Sequence, residues 1–254
     1  MAGLEENLRA VRARIDTAAR AAGRDPASVA LLAVSKTWPA RDVRALLELG
    51  QRDFGENRAQ ELVEKARQLE QMELVDVPVR WHFIGQLQRN KAAAVARLGA
   101  VVHSVDRLAL AQVLDRVGQD SDRPVDVLLQ VDLGGAARGS APRGGADPAA
   151  VPGLADAVSD CPGLHLRGLM AVAPLGADPG AAFGQLAELA ARVRADHPGA
   201  VELSAGMSGD LEAAVAAGAT VVRVGTALFG ARHLPSGEDP STPATPVTPV
   251  TEAT

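Results

Sequence analysis

Apolar residues form a nearly continuous run from Ala30 to Val34, and this run ends at Ser35 and Lys36. A strand that is apolar on both faces is typical of a parallel sheet covered by helices. In barrels built from such strands, functional side chains collect at the carboxyl ends, where Lys36 stands. The pattern leaves two interpretations of Lys36 open. Either its ammonium is simply hydrated where the strand reaches solvent, or it is a lysine of lowered proton affinity that forms a Schiff base with an aldehyde.

The alternation of strand and helix signals extends along most of the chain. Before the first strand, helical spacing predicts an amphipathic helix with an apolar stripe of Leu4, Leu8, Val11, Ile15 and Ala19. Strands are predicted at residues 30–36, 54–57, 81–85, 101–105, 125–133, 164–173, 201–204 and 220–224. Helices are predicted between them, at residues 39–50, 62–69, from 88, 106–117, from 148, 178–195 and 208–217.

This order of elements predicts the fold. A closed barrel needs a helix after its last strand. We expect the helix before the first strand to take that place. The pattern therefore favours an α/β fold, a (β/α)8 TIM-type barrel with an N-terminal helix preceding the first strand, over an open doubly wound sheet. We expect a single domain over residues 1–234.

Segments of a different composition interrupt and follow the pattern. Residues 134–147 are rich in Gly and Ala and predict a long mobile loop. Residues 235–254 form a Pro/Thr-rich tail with too little apolar surface to offset the entropy of ordering it. We expect this tail to be disordered and dispensable for ligand binding.

Composition narrows the functional class. The hydrophobic fraction of 47% is sufficient for one core, and the net charge of −5 provides no general attraction to nucleic acid or anionic lipid. No signal-peptide core or membrane-spanning run is present, so we expect a cytoplasmic protein. The single Cys161 excludes an internal disulfide, and the histidines lack the close helical pairing of zinc sites. The chain contains no tyrosine.

A second group of chemically suggestive residues follows the seventh and eighth strands. Residues 203–210 and 223–226 combine small residues with the hydroxyls of Ser204, Ser208 and Thr226. In barrels these loops commonly bind phosphate, because small residues let backbone N–H groups approach the oxygens. Alternatively, Ser208 only caps the next helix. A phosphate site opposite a lysine that can form a Schiff base favours a ligand with both a phosphate and an aldehyde. Pyridoxal 5′-phosphate is the obvious candidate.

Several ordered motifs also resemble a known family over nearly all of residues 1–234. The chain is similar to the pyridoxal phosphate homeostasis proteins, which are single-domain relatives of the alanine racemase barrel. The motifs that carry this resemblance are Ala33-Val34-Ser35-Lys36, Phe54-Gly55-Glu56-Asn57, Trp81-His82-Phe83-Ile84-Gly85, Gly168-Leu169-Met170, Ser204-Ala205-Gly206-Met207-Ser208 and Arg223-Val224-Gly225-Thr226 with the residues up to Arg232.

The resemblance implies a set of cofactor contacts. It makes Lys36 the Schiff-base lysine and aligns Arg223 with an arginine that faces the pyridine nitrogen. At the phosphate it implies Ser204 or Ser208, together with Gly225 and Thr226. It also implies that Asn57 and His82 lie near the cofactor.

The function implied by the resemblance is that of a carrier rather than an enzyme. Family members hold pyridoxal phosphate reversibly, buffer it and supply it to apo-enzymes, and we expect a monomer. The main alternative is an amino-acid racemase or decarboxylase that uses the same cofactor. A racemase of the related type needs a tyrosine from a second domain, and this chain lacks both. A cofactor-free aldolase using Lys36 and a protein-interaction module are further alternatives.

Overall fold

The computed structural model describes residues 2–72, 78–134 and 144–230. Within these residues, eight parallel strands form a closed barrel in sequence order, which confirms the predicted fold. The first strand pairs with the last, and Ala33 lies opposite Val224. The strands are β1 Ala30–Val34, β2 Asp53–Glu56, β3 Arg80–Phe83, β4 Val101–Val105, β5 Val125–Val131, β6 Leu164–Ala171, β7 Glu202–Ser204 and β8 Val221–Val224.

Helices cover the outside of the barrel. The predicted helices are present, and a short helix after β8 was not predicted. The helices are α1 Ala2–Ala21, α2 Ala40–Glu48, α3 Ala59–Gln71, α4 Arg89–Arg97, α5 Leu108–Asp120, α6 Val151–Ser159, α7 Pro179–Asp196, α8 Leu211–Ala216 and α9 Thr226–Phe229.

Helix α1 occupies the position of the helix that would follow β8, as predicted. It packs against α8 and α9, and its stripe of Leu8, Val11 and Ile15 is buried. Polar contacts add to this packing, because Asn7 Nδ2 donates to the Leu228 carbonyl at 2.9 Å. The apolar stripe of α1 therefore covers the seam between the first and last strands.

The sequence predicts that α3 buries Leu62, Val63, Ala66 and Leu69, and this prediction is wrong for Val63. Val63 is 37% exposed, whereas Lys65 is only 4% exposed. The buried Lys65 ammonium donates to the Glu56 carboxylate at the end of β2. An ion pair that forms only in the folded chain thus overrides the hydrophobic pattern of this helix.

Some predictions concern segments beyond the described residues. Residues 235–254 and most of residues 134–147 lie outside them, so the disordered tail, the mobile loop and the domain boundary at 234 stay predictions. In the described part of the chain, no helix is long and apolar enough to cross a membrane. No group of three or more His, Cys, Asp or Glu there is arranged to hold a metal ion.

The barrel interior contains a chain of hydrogen-bonded polar side chains, here called the interior chain: Asp53, His82, His103, Ser204 and Arg223. His82 Nε2 lies 3.1 Å from Asp53 Oδ1, and His82 Nδ1 lies 2.9 Å from His103 Nε2. His103 Nδ1 lies 3.0 Å from Ser204 Oγ, which in turn accepts from Arg223 Nη1 at 2.8 Å. The interior chain therefore runs from the amino-terminal end of β2 to the middle of β8.

The interior chain has a consistent donor and acceptor pattern when both histidines are neutral. Ser204 Oγ donates to His103, His103 donates to His82, and His82 donates to the Asp53 carboxylate. Burial alone would raise the pKa of Asp53, but hydrogen bonds from His82 and Arg80, together with the charge of Arg80, outweigh it, and the pKa of Asp53 lies below its ordinary value. Every buried member of the chain thus has a partner, which removes most of the cost of burying polar groups.

His103 is the most constrained titratable group of this chain. Burial lowers the pKa of His103 well below its ordinary value of 6.5, and the positive charge of Arg223 adds to this effect. The folded protein therefore keeps His103 neutral at pH values where the unfolded chain binds a proton. This linkage stabilises the fold above the unfolded-state pKa and is lost as the pH falls below it.

We predict that His103 accounts for part of the acid sensitivity of the fold. Between about pH 7.5 and about pH 5.5, proton binding to unfolded His103 should remove stability on the order of 1 kcal/mol. His103→Gln keeps a donor and an acceptor but does not titrate, so its free energy of unfolding should fall less over the same interval. Urea unfolding of both proteins at both pH values measures the difference. Equal pH dependence in the two proteins would contradict the role of His103.

Candidate functional site

Barrel closure brings the lysine of β1 next to the loop that follows β8. Because Ala33 pairs with Val224, Val34 lies beside Gly225, and a Cβ on Gly225 would sit 3.3 Å from the Val34 carbonyl oxygen. Lys36 follows in the β1–α2 turn and is partly exposed. Neighbouring strands are separated by only about 4.8 Å. The closed sheet therefore brings together, at its carboxyl end, the lysine and the small residues that the sequence predicted.

The loops after β7 and β8 are connected to each other. Ser208 Oγ accepts a hydrogen bond from the Ala227 N–H at 3.3 Å. The alternative that Ser208 caps the next helix is wrong, because α8 begins at Leu211 with Asp210 in the N-cap position. The loop also needs Gly206, since φ is +86° there and a Cβ would lie 2.5 Å from the Ala214 side chain.

An aromatic pair that sequence reasoning missed joins the lysine turn to the loop after β8. The rings of Trp38 and Phe229 are stacked, with their centroids 5.6 Å apart and their planes inclined by 19°. Trp38 follows Lys36 by two residues, and Phe229 ends α9. Aromatic residues make up only 2% of the chain. An aromatic residue next to each of the two candidate loops was therefore the sequence feature that could have indicated this contact. The stack holds the two parts of the site together.

Arg223 provides a fixed positive charge beneath this end of the barrel. It is only 4% exposed, and its guanidinium donates to the Ser204 carbonyl at 2.7 Å, to Ser204 Oγ at 2.8 Å and to the Ala171 carbonyl at 2.8 Å. Burial lowers the pKa of Arg223 to about 10, although Asp210 acts to raise it. The guanidinium therefore remains protonated at neutral pH and is held in one orientation.

The remaining predicted site residues fall into two groups. Ser204 and His82 lie inside the barrel, where both belong to the interior chain and form the hydrogen bonds described above. Asn57 and Thr226 lie at the carboxyl end of the barrel, and Thr226 is exposed at the first position of α9. A Cβ on Gly85 would lie 2.1 Å from the Asn57 carbonyl oxygen, so glycine is required for this contact. The structure thus brings together Lys36, Asn57, Ser208, Gly225 and Thr226 at one end of the barrel, above Arg223.

Comparison with known proteins identifies the family of this barrel. Residues 7–233 match the family described as alanine racemase, N-terminal domain. A relative from Pseudomonas aeruginosa, named pyridoxal phosphate homeostasis protein, is 48% identical over 232 residues, covering 91% of this chain and 97% of the relative. The match therefore extends over the whole described barrel.

Solved structures lead to the same family. The structure of PipY from Synechococcus elongatus with PLP bound is 38% identical, with a TM-score of 0.76 over 89% of this chain and 100% of that chain. Alanine racemase from Bartonella henselae shares the fold, with 17% identity and a TM-score of 0.66, and this chain covers 58% of its length. The chain belongs to the alanine racemase N-terminal domain family and, within it, to the pyridoxal phosphate homeostasis proteins.

Proposed function

We propose that this protein binds pyridoxal 5′-phosphate through a Schiff base on Lys36 and takes part in intracellular pyridoxal phosphate homeostasis, by buffering the cofactor and supplying it to apo-enzymes. The observation that carries the proposal is the pairing of β1 with β8, which sets Val34, two residues before Lys36, beside Gly225. The P. aeruginosa relative's name and the PLP-bound PipY structure support it.

The residues at this end of the barrel fit the phosphate of the cofactor. Gly225 and Thr226 begin a helix, Thr226 is exposed, and Ser208 is tied to the same helix start. Backbone N–H groups and hydroxyls in such loops are suited to phosphate oxygens. The Ser204 hydroxyl is already bonded to Arg223 and His103, so we assign the phosphate contact to Ser208 rather than Ser204.

Arg223 fits the pyridine ring of the cofactor. A protonated guanidinium beside a pyridine nitrogen disfavours protonation of that nitrogen. Bound pyridoxal phosphate supplies an aldehyde for the Schiff base and a ring that withdraws electrons. With its nitrogen unprotonated the ring withdraws them less strongly, which is compatible with a carrier. Asn57, at the end of β2, is positioned to border the cofactor.

The lack of tyrosine in the sequence supports a non-catalytic carrier over a racemase. Two-base racemisation needs a proton acceptor on each face of the substrate carbon. The sequence has no tyrosine, and both ring nitrogens of His82 and of His103 are hydrogen-bonded within the interior chain. Lys36 can accept a proton on only one face of the substrate carbon.

The proposal includes the setting in which the carrier works. The protein acts in the cytoplasm as a monomer, and its partners are pyridoxal phosphate and the apo-enzymes that receive it. The partial exposure of Lys36 and the exposure of Thr226 support transfer, because the ligand site opens towards solvent. Bound cofactor makes the purified protein yellow, which distinguishes it from a cofactor-free aldolase.

We predict that borohydride fixes pyridoxal phosphate on Lys36. The sequence has three lysines, Lys36, Lys65 and Lys91, so peptide mapping of the reduced protein gives an unambiguous answer. Lys65 is buried against carboxylates and is not available to an aldehyde. Lys36→Ala should abolish the reducible absorbance, and Lys91→Ala, as the control, should retain it. A label found mainly on Lys91 would overturn the assignment.

We predict that Thr226→Val weakens binding of pyridoxal phosphate but not of unphosphorylated pyridoxal. The substitution keeps the side-chain shape and removes one donor to a charged group, which is worth about 1.5–3 kcal/mol, or roughly 10–100-fold in affinity. Absorbance titrations with both ligands test this. An equal loss for the two ligands would refute a phosphate contact by Thr226.

We also predict that the loaded protein does not exchange the α-proton of L-amino acids at a useful rate. Incubation with L-alanine in deuterated water tests both proton abstraction and inversion, because exchange is detected even when the stereochemistry is retained. Rapid exchange with accumulation of the D-amino acid, abolished by Lys36→Ala, would favour the racemase instead.

A further inference from the structure

The turn that carries Lys36 is held from the helix side by three charged residues, Glu56, Glu61 and Lys65, here called the clamp. Lys65 Nζ donates to the Ser35 carbonyl at 2.8 Å and to Glu61 Oε1 at 3.1 Å, and it also donates to the Glu56 carboxylate. The lysine of α3 thus joins two acids to the backbone of the residue that precedes Lys36.

The clamp contacts both chain neighbours of Lys36. On one side, Ser35 Oγ donates to Glu56 Oε1 at 2.7 Å. On the other side, the Thr37 backbone N–H donates to Glu61 Oε1. Lys36 itself lies between these two anchored residues. These contacts reach the backbone on both sides of Lys36 from outside the barrel, and they are separate from the Trp38–Phe229 stack that joins the same turn to the loop after β8.

Thr37 shows that this anchoring opposes a local preference of the chain. Its φ is +70°, in the left-handed region that β-branched residues rarely adopt. Such a conformation persists only where surrounding contacts enforce it. The hydrogen bond from the Thr37 N–H to Glu61 is a direct means of enforcing it.

The composition of the clamp argues against a role in stability alone. The side chains of Lys65 and Glu56 are 5% and 0% exposed, and Glu56 Oε2 has no hydrogen-bond partner among the described residues. The cost of removing two charges from water often exceeds their attraction, so apolar residues would stabilise such a place equally well or better. Apolar residues, however, would not hold the Ser35 carbonyl and the Thr37 N–H.

We propose that Glu61 and the buried pair Glu56 and Lys65 are positioning residues that hold Lys36 in the orientation needed for the Schiff base. The inference rests on the proposed function of Lys36. It adds that the clamp determines where Lys36 is placed. The clamp affects Schiff-base formation and leaves the phosphate site, on the other side of the turn, unchanged. A positioned lysine reacts more readily because its placement costs no further entropy.

Glu61→Ala is the principal test, because alanine suits the helix and removes the acceptor of the Thr37 N–H. Glu64→Ala is the matched control, since Glu64 lies on the same helix in an exposed pair with Arg67. Two ligands are titrated into each protein: pyridoxal phosphate, and pyridoxine 5′-phosphate, which lacks the aldehyde and reports only the ring and phosphate contacts.

The expected result is a selective loss. Glu61→Ala should weaken Schiff-base formation by about tenfold, the low end for losing a hydrogen bond to a charged group, and should leave pyridoxine 5′-phosphate affinity within about twofold. Glu64→Ala should match the parent protein with both ligands. Equal weakening for both ligands, or no difference between Glu61→Ala and Glu64→Ala, would overturn the positioning role.

A second variant tests the buried pair. Lys65→Met alone leaves a buried carboxylate uncompensated and is prone to unfold, so Lys65→Met is combined with Glu56→Gln to remove both charges. The double variant should fold and show the same selective loss, and a folded double variant that forms the Schiff base normally would exclude the buried pair as positioning residues.

Lys36→Ala, measured in parallel, separates the two hypotheses. If Lys36→Ala still forms a reducible Schiff base, the lysine assignment fails and the positioning role fails with it. If Lys36→Ala abolishes the Schiff base while Glu61→Ala behaves like its control, the proposed function stands and only the positioning role is overturned.

Discussion

The hydrogen bonding of the first strand to the last is the constraint on which the rest of this structure depends. The Ala30 N–H donates to the Thr220 carbonyl at 2.8 Å, and the register continues to the pair of Ala33 and Val224. This pairing closes the sheet, so no strand is left with unpaired edge groups. It also sets residues from opposite ends of the barrel sequence side by side, and the candidate site lies at that seam.

The seam is stabilised from outside by the amino-terminal segment. Helix α1 covers it, and Arg24, which follows this helix, donates to the carbonyls of Val215 and Ala219 at 2.9 and 2.8 Å. Through these contacts α1 is tied to α8 and to the chain entering β8. The proposed phosphate loops therefore belong to a part of the barrel whose packing requires both the first and the last described segments of the chain.

Two buried polar networks lie on opposite faces of the sheet near this seam. The interior chain ends at Arg223 and presents a fixed cation to the site, whereas the clamp lies between the sheet and α3 and holds the turn of Lys36. Burying so many polar groups is costly compared with an apolar core, even when nearly all of them are paired. The interior chain fixes the orientation of Arg223, and the clamp contacts both chain neighbours of Lys36.

The amino-acid sequence by itself determined the element order, the barrel and the candidate loops. Periodicity was sufficient for this, because strands and helices bury apolar residues with different spacings, as the buried stripe of α7 illustrates with Phe183, Leu186, Leu189 and Val193. Only the tertiary structure decided the partners of the polar residues. It moved Ser204 and His82 into the interior chain, joined Ser208 to α9, stacked Trp38 on Phe229 and buried Lys65 in place of Val63. Hydropathy patterns report which side chains avoid water, but a hydrogen bond or ion pair depends on which residues the closed barrel brings within 3 Å or so of each other. Residues distant in the chain become neighbours only when the sheet closes, so the local hydropathy pattern does not specify these pairings.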